Sequence, residues 1–413
     1  MKILHTVESY LPSRHGMSEV VRQLSERLAA KGHQVTVVTK KDPDRHEKVI
    51  SGVEIVEFDI SGNITESIEG ESDHYKQYLL NSDFDIVTNF AAQQWATDLA
   101  LPILSKIRGK KVFVPTGYSG LYLDKYKQYY HDMGAWLKKY DKVVYLSENY
   151  RDVKFARNLG LTNGVLIPNG ASEKEFSIEK DIEFRKRFGI PEHDLLILHV
   201  AGFVGAKGHM DAIKIFIEAK LNQASLVFVS PEFGYSFNRF NIVEKQNLIN
   251  LIKFFIKPEQ LSEVFNLQIM NFLKRFGFFR SIYFLKLARN DVIQAYLNSD
   301  LLLFPSQIEC SPIVLFESMA AKTPFLVTDV GNSCEIVEWS KAGVILPTII
   351  SNEVNGLRHA DIVASSKILK RIASNTELRQ LMAQSGNNSW IKNFTWEKIS
   401  QEYEELYKSL LNH

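Results

Sequence analysis

Short apolar runs alternate with longer amphipathic segments along most of this chain, and that alternation is the mark of a parallel α/β sheet. Lys2–Val7 reads as a strand. Ser18–Lys31 predicts the helix that follows, with Val20, Val21, Leu24, Leu28 and Ala29 at helical spacing and Gly32 to close it. Gln34–Thr39, Val53–Phe58, Asp85–Thr88, Lys111–Pro115, Lys142–Leu146 and Gly164–Ile167 extend the strand series, and Pro168-Asn169-Gly170 breaks it with turn chemistry.

A second α/β series starts at Leu195–Val200 and runs through Ser225–Val229, Ser281–Leu285, Leu301–Phe304 and Phe325–Thr328 to about Val344–Leu346. Helices are predicted near Ala360–Ile372 and Thr376–Asn393, with a charged amphipathic one over Trp396–Leu411. The 413 residues allow two or three domains at about 150 each. The break in the linker Ala171–Ile178 predicts two similar halves, 1–176 and 177–394.

Composition excludes several classes. The formal net charge is +1, which gives no global attraction for nucleic acid. The opening run Met1–Glu8 is too short and polar for a signal peptide, and no stretch nears the roughly 18 apolar residues that cross a bilayer. The two cysteines, Cys310 and Cys334, form neither a disulfide framework nor a zinc pattern, which fits a reducing cytoplasm.

One stretch departs from the average. Between Arg239 and Arg289 lie nine basic and three acidic residues, together with nine of the 26 phenylalanines. Leu261, Val264, Phe265, Ile269, Phe272 and Phe276 form an apolar stripe on one predicted helix. Such a stretch either meets an anionic membrane surface, with Phe in the interface and Lys or Arg at headgroups, or is a core-facing insertion with solvated charges.

Chemistry is legible in three loops. Glu309-Cys310-Ser311-Pro312-Ile313-Val314-Leu315-Phe316-Glu317 follows the strand Leu301–Phe304 and runs into a helix. Its two carboxylates either serve one ligand or are solvated surface groups, while the backbone between them presents helix-terminal N–H groups, a natural anion site at the carboxyl end of a strand. Gly202-Phe203-Val204-Gly205-Ala206-Lys207-Gly208 follows the strand Leu195–Val200 and suits a diphosphate: glycine admits close backbone approach and Lys207 supplies a charge. Pro12-Ser13-Arg14-His15-Gly16-Met17-Ser18-Glu19 either brings backbone and cations near a ligand or only lets Ser18 cap the next helix.

Ser306–Val337, with Glu309, Glu317, Ser318-Met319-Ala320-Ala321, Pro324, Thr328-Asp329 and Gly331, resembles the donor motif of retaining family-4 glycosyltransferases. Ile167-Pro168-Asn169-Gly170 resembles that family's interdomain turn, and Phe394-Thr395-Trp396-Glu397 with Tyr403 and Tyr407 resembles its closing helix. The resemblance implies the GT-B fold, two Rossmann-like domains facing across a cleft, with 395–413 returning to complete the first. It also implies transfer of a hexose-type sugar from a UDP- or GDP-sugar, with retention of configuration and no cofactor or bound metal, Lys207 and helix N-termini standing in for the ion. Carried over position by position, Glu317 binds the ribose hydroxyls and Glu309 lies at the donor sugar, acting with Lys207. Gly205 and the amides of Ile313, Val314 and Leu315 hold diphosphate or sugar hydroxyls, and Gly16, Arg14, His15 and Thr116 line the acceptor and phosphate side.

The chain departs from the pattern in three places. Phe203 stands where the family commonly has Arg, Met17 takes the place of a second glycine, and Thr116 lies where many members have His. The expected partners are a nucleotide sugar and a glycan or lipid-linked acceptor, in cell-surface polysaccharide or lipopolysaccharide synthesis, in the cytoplasm and on the inner membrane face through 239–289. The rival readings are a non-catalytic GT-B partner that binds nucleotide or glycan, and a GT-B epimerase or phosphorylase.

Overall fold

A computed structural model describes residues 1–13, 15–202, 205–230, 281–352 and 357–412. Arg14, Phe203 and the basic, phenylalanine-rich stretch as far as Arg280, with its apolar stripe, lie outside the described residues.

The strands are β1 (Lys2–Thr6), β2 (Gln34–Lys40), β3 (Val49–Ile50), β4 (Val53–Phe58), β5 (Ile60–Asn63), β6 (Ser67–Gly70), β7 (Ile86–Phe90), β8 (Lys110–Val114), β9 (Lys142–Tyr145) and β10 (Gly164–Leu166). They continue as β11 (Leu195–Val200), β12 (Ala224–Ser230), β13 (Ile282–Lys286), β14 (Leu301–Phe304), β15 (Phe325–Thr328), β16 (Gly343–Leu346), β17 (Thr348–Asn352) and β18 (Leu357–Ala360). Eight of them form a sheet in the order β10-β9-β8-β7-β1-β2-β4-β3, parallel apart from the short β3. Six form a second, wholly parallel sheet in the order β13-β12-β11-β14-β15-β16. Two small antiparallel pairs, β5–β6 and β17–β18, are additions.

Central strands of both sheets are buried on both faces, which is why they read as continuous apolar runs: every residue of β7 and of β14 is buried. Register is fixed from both sides, as where Leu198 of β11 pairs with Val227 of β12 and Leu302 of β14. In each sheet the strand order reverses at one place, beside β1 in the first and beside β11 in the second. Ligands of open α/β sheets bind outside the carboxyl ends of strands at such points. The loops that leave β1, β11 and β14 there carry the sequences singled out above.

The last helix, Trp396–Leu411, belongs to the first sheet. Its Trp396, Ile399, Tyr403, Tyr407 and Leu410 enter one apolar cluster with Ile3, Val21, Leu24 and Leu28. The Tyr407 hydroxyl lies 2.7 Å from Thr88 Oγ1 and 3.2 Å from Nε2 of His5, whose imidazole burial pushes down to about 3 and so keeps neutral. The chain passes between the halves side by side: Ala171 N–H donates to Phe394 O (3.0 Å) and Trp396 N–H to Ala171 O (3.2 Å).

One expectation changes. The first helix spans Gly16–Ala30 with His15 as its N-cap, so Ser18 is not the N-cap but caps from inside the first turn. There the Ser18 hydroxyl accepts from His15 N–H (2.8 Å) and donates to His15 O (2.9 Å). Among the described residues no helix is long and apolar enough to cross a membrane.

Candidate active site

The turn Gly205–Lys207 after β11 rests on the turn that follows β14. Gln307 N–H donates to Ala206 O at 2.8 Å, and Ser306 Oγ lies 3.1 Å from the same carbonyl. Gly208 permits this contact: its φ is +72°, and a methyl group there would sit 1.9 Å from Pro305 O. The docking places Lys207 Nζ 2.7 Å from Glu309 Oε1, which also accepts from Ser306 Oγ at 2.7 Å. The two residues expected to act together are thus paired, with Glu309 one-tenth exposed and Lys207 30% exposed. Lys207 has three donors and uses one on Glu309. Gly202 and Gly205 are exposed, and a methyl group on either would meet no atom of the described residues within 4 Å. Packing against the described residues does not require glycine at these two positions.

Glu309 leads into the helix Ile313–Ala320, whose N-cap, Pro312, offers no side-chain partner to the first amides. Ile313 and Val314 have no intrahelical carbonyl to bond. Leu315 differs from expectation, because its N–H donates to Pro312 O at 3.1 Å and is taken. Among the described residues, the helix-terminal amides left without a partner are therefore those of Ile313 and Val314, without Leu315.

One turn further on, Glu317 is almost fully buried, and its Oε1 accepts from Arg289 Nη2 at 2.5 Å. Burial pushes its carboxyl above the usual range, and Arg289 pulls it back only in part. Arg289 belongs to the basic run expected to meet lipid, and here the structure corrects the sequence. Its guanidinium is held at 2.5 Å by Glu317 and at 2.6 Å by Glu175, so it is not a free surface cation.

The first sheet supplies the facing wall. Gly16 opens its helix on an exposed turn where a methyl group would meet no atom of the described residues within 4 Å, and the next residue, Met17, packs on the same core as Cys310 and Ile313. The His15 ring sits beside Ser9 Oγ, with Nε2 at 3.1 Å. Thr116, two residues beyond the end of β8, has φ of +58°, followed by Gly117 at +96° and Tyr118 at +52°. A β-branched residue in the left-handed region is strained, and such strain gathers at functional loops. A methyl group on Gly117 would sit 2.8 Å from Cys310 Cβ, which brings the Thr116 turn against the Glu309 loop. Gly117 N–H donates to Asp152 Oδ2 (3.0 Å), and burial raises the Asp152 carboxyl to about 6.

Contacts between the halves that spacing did not reveal come from Asn332 and Glu335. Asn332 Nδ2 donates to Leu146 O (2.8 Å), and the Glu335 carboxylate accepts from the amides of Glu148 (2.8 Å) and Asn149 (2.9 Å). Next to them a cavity of about 690 Å³ opens between the halves, lined among others by Tyr122, Arg151, Gln307, Gly331, Glu338 and Arg358. Arg358, from the added β17–β18 pair, is bonded to Asp329 across one side of it. Tyr122 is 53% exposed, and the Arg151 guanidinium lies 5.1 Å from its ring centre.

The architecture, two parallel α/β sheets with loops converging at their switch points, is the GT-B fold. It is shared over full length with sucrose-phosphate synthase of Thermosynechococcus elongatus (17% identity, TM-score 0.74, all of both chains covered). The Anabaena protein HepE in complex with UDP also shares it (14% identity, TM-score 0.67, 99% of this chain and 100% of that one). In sequence, the chain is 24% identical over 432 residues to an uncharacterized glycosyltransferase of Methanocaldococcus jannaschii, covering 99% of this chain and 98% of that protein. The family model "Glycosyl transferases group 1" matches residues 280–386, and "Glycosyltransferase Family 4" matches residues 14–174. With one such model on each half of a GT-B fold, the matches support a place for this chain in the GT-B glycosyltransferase family.

Proposed function

We propose that this protein moves a hexose-type sugar from a UDP- or GDP-sugar to a glycan or lipid-linked glycan, with retention of configuration and without a bound metal. The observation that carries the reading is the Lys207–Glu309 pair at 2.7 Å, set between open glycine backbone and the unpaired amides of Ile313 and Val314. Those groups suit a diphosphate, and Glu317 one turn away suits a ribose, since a carboxylate accepts from two hydroxyls. HepE, bound to UDP and also to UDP-glucose, supports a nucleotide-sugar donor. Retention and independence from metal rest on the resemblance of the Glu309–Glu317 motif.

In this reading the C1–O bond to the diphosphate breaks while the acceptor oxygen bonds to C1 from the same face. The acceptor hydroxyl passes its proton to the departing phosphate oxygen. Lys207 and the two amides stabilise the charge that grows there, which a fixed array does best because it need not reorganise. Glu309 holds Lys207 and orients the sugar. The cavity beside Gly331, with the Tyr122 ring and the Glu338 carboxylate, offers an apolar face and hydroxyl acceptors to the acceptor saccharide. The deciding experiment is slow hydrolysis of a panel of UDP- and GDP-sugars in the presence of EDTA. One sugar nucleotide is expected to be cleaved well above the rest; cleavage of none, or of one only after a divalent cation is restored, would sink the reading.

A lipid-linked acceptor draws its support from the sequence of 239–289, whose six excess positive charges and nine phenylalanines suit an anionic interface at the cytoplasmic membrane face. Arg289 is spoken for elsewhere. The protein is expected to sediment with anionic but not neutral vesicles at low salt, and Lys274→Glu with Arg275→Glu to abolish this without loss of donor hydrolysis. Sedimentation unaffected by the double reversal would assign the contact to another surface.

A further inference from the structure

Arg289 opens the helix Arg289–Leu297, where the helix dipole disfavours a cation. It is fixed there by two carboxylates from distant parts of the chain. Its Nη2 lies 2.5 Å from Glu317 Oε1 and 2.6 Å from Glu175 Oε2, and its Nε lies 3.2 Å from the same Glu175 oxygen. Glu175 stands in the linker between the halves and accepts in turn from Arg22 Nη2 at 3.0 Å. Arg22 is bonded to Glu19 at 2.6 Å and to Glu26 at 3.0 Å. Opposite charges thus alternate from the donor-motif helix to the helix that begins at Gly16. Glu175 anchors the guanidinium at two points, so Arg289 is a fixed partner for Glu317 rather than a swinging one.

We infer that Arg289 is the positioning residue that holds the Glu317 carboxylate ready for the ribose of the donor nucleotide; the inference rests on the donor reading proposed above. A carboxylate as buried as Glu317 is costly to keep charged alone, and one cation in hydrogen-bond contact offsets much of that cost. Arg289 takes Oε1 and leaves the carboxylate with lone pairs for both hydroxyls of a ribose diol. Among the described residues, the Glu19 carboxylate and the Tyr296 hydroxyl also act on Glu317, and neither brings a positive charge. The rival is that Arg289 masks Glu317 and must be displaced by nucleotide, in which case its removal tightens binding.

Calorimetry with UDP and GDP, each against its 2′,3′-dideoxy counterpart, separates these readings. The wild-type protein is expected to favour the ribonucleotide. Arg289→Ala should weaken ribonucleotide binding about tenfold and leave the dideoxy form nearly unchanged, so that the preference collapses. Arg289→Lys, which keeps the charge but not the fork, should restore part of it. Equal loss for both nucleotides, or tighter ribonucleotide binding in Arg289→Ala, overturns the inference and leaves the donor reading standing. If the wild-type protein binds no nucleotide or does not distinguish the two forms, the assignment of Glu317 fails and the inference falls with it. Should Arg289→Ala not fold, Arg289→Gln, which keeps a donor for Glu317 without the charge, carries the same comparison.

Discussion

Lys207→Ala is expected to lower the turnover of the sugar nucleotide by about 10²–10³-fold, while affinity for the nucleoside diphosphate changes far less. The asymmetry follows from where the charge is. Negative charge on the leaving diphosphate grows as the C1–O bond breaks, so a cation held 2.7 Å from Glu309 and beside the open turn does most in the transition state. Steady-state kinetics beside calorimetry of the product diphosphate tests it. Equal losses in both would mean that Lys207 only binds, and no loss in either would move the anion site, with Arg14 the next candidate.

Glu317→Ala should weaken nucleoside diphosphate binding by about 1–3 kcal/mol, because two hydroxyls lose a charged acceptor in a place that water barely reaches. The effect carries a pH signature. Burial holds the Glu317 carboxyl above its ordinary value, and only the ionised form accepts from both hydroxyls. Wild-type affinity should therefore fall as pH drops through that raised value, at a higher pH than an exposed glutamate would give, and the same range should be flat in Glu317→Ala. Unchanged affinity in a folded variant would show that the ribose lies elsewhere.

Much of the fold is legible because its central strands are buried on both faces. Leu195–Val200, Leu301–Phe304 and Phe325–Thr328 begin and end where their apolar runs do. The β17–β18 pair is not legible, since Arg358 and His359 give its second strand no apolar signal, and Lys127–Leu137 hides its helix among polar and tyrosine residues. At the site, Glu309, Lys207 and Glu317 stand out because loop chemistry is local. Arg289 does not stand out. Counted with its neighbours it belongs to a basic run, while its partners lie 28 and 114 positions away, and only the fold brings them together. That the Leu315 N–H is already taken is hidden for a similar reason: spacing places a helix start there, but the turn at Pro312 decides which amides remain unbonded.

The return of the last helix to the first sheet orders events during synthesis. The ribosome makes the eight strands of the first sheet early, yet Trp396, Ile399, Tyr403, Tyr407 and Leu410, which cover Ile3, Val21, Leu24 and Leu28, emerge only after the second sheet. Until then one apolar face of the nascent first half waits uncovered, although domains made first generally fold first. The second half can close its sheet meanwhile, for β11 to β16 come from one continuous span. A chain cut short before Trp396 therefore damages the half farthest from the cut in sequence, because the residues it loses belong to the wall that the first strand began.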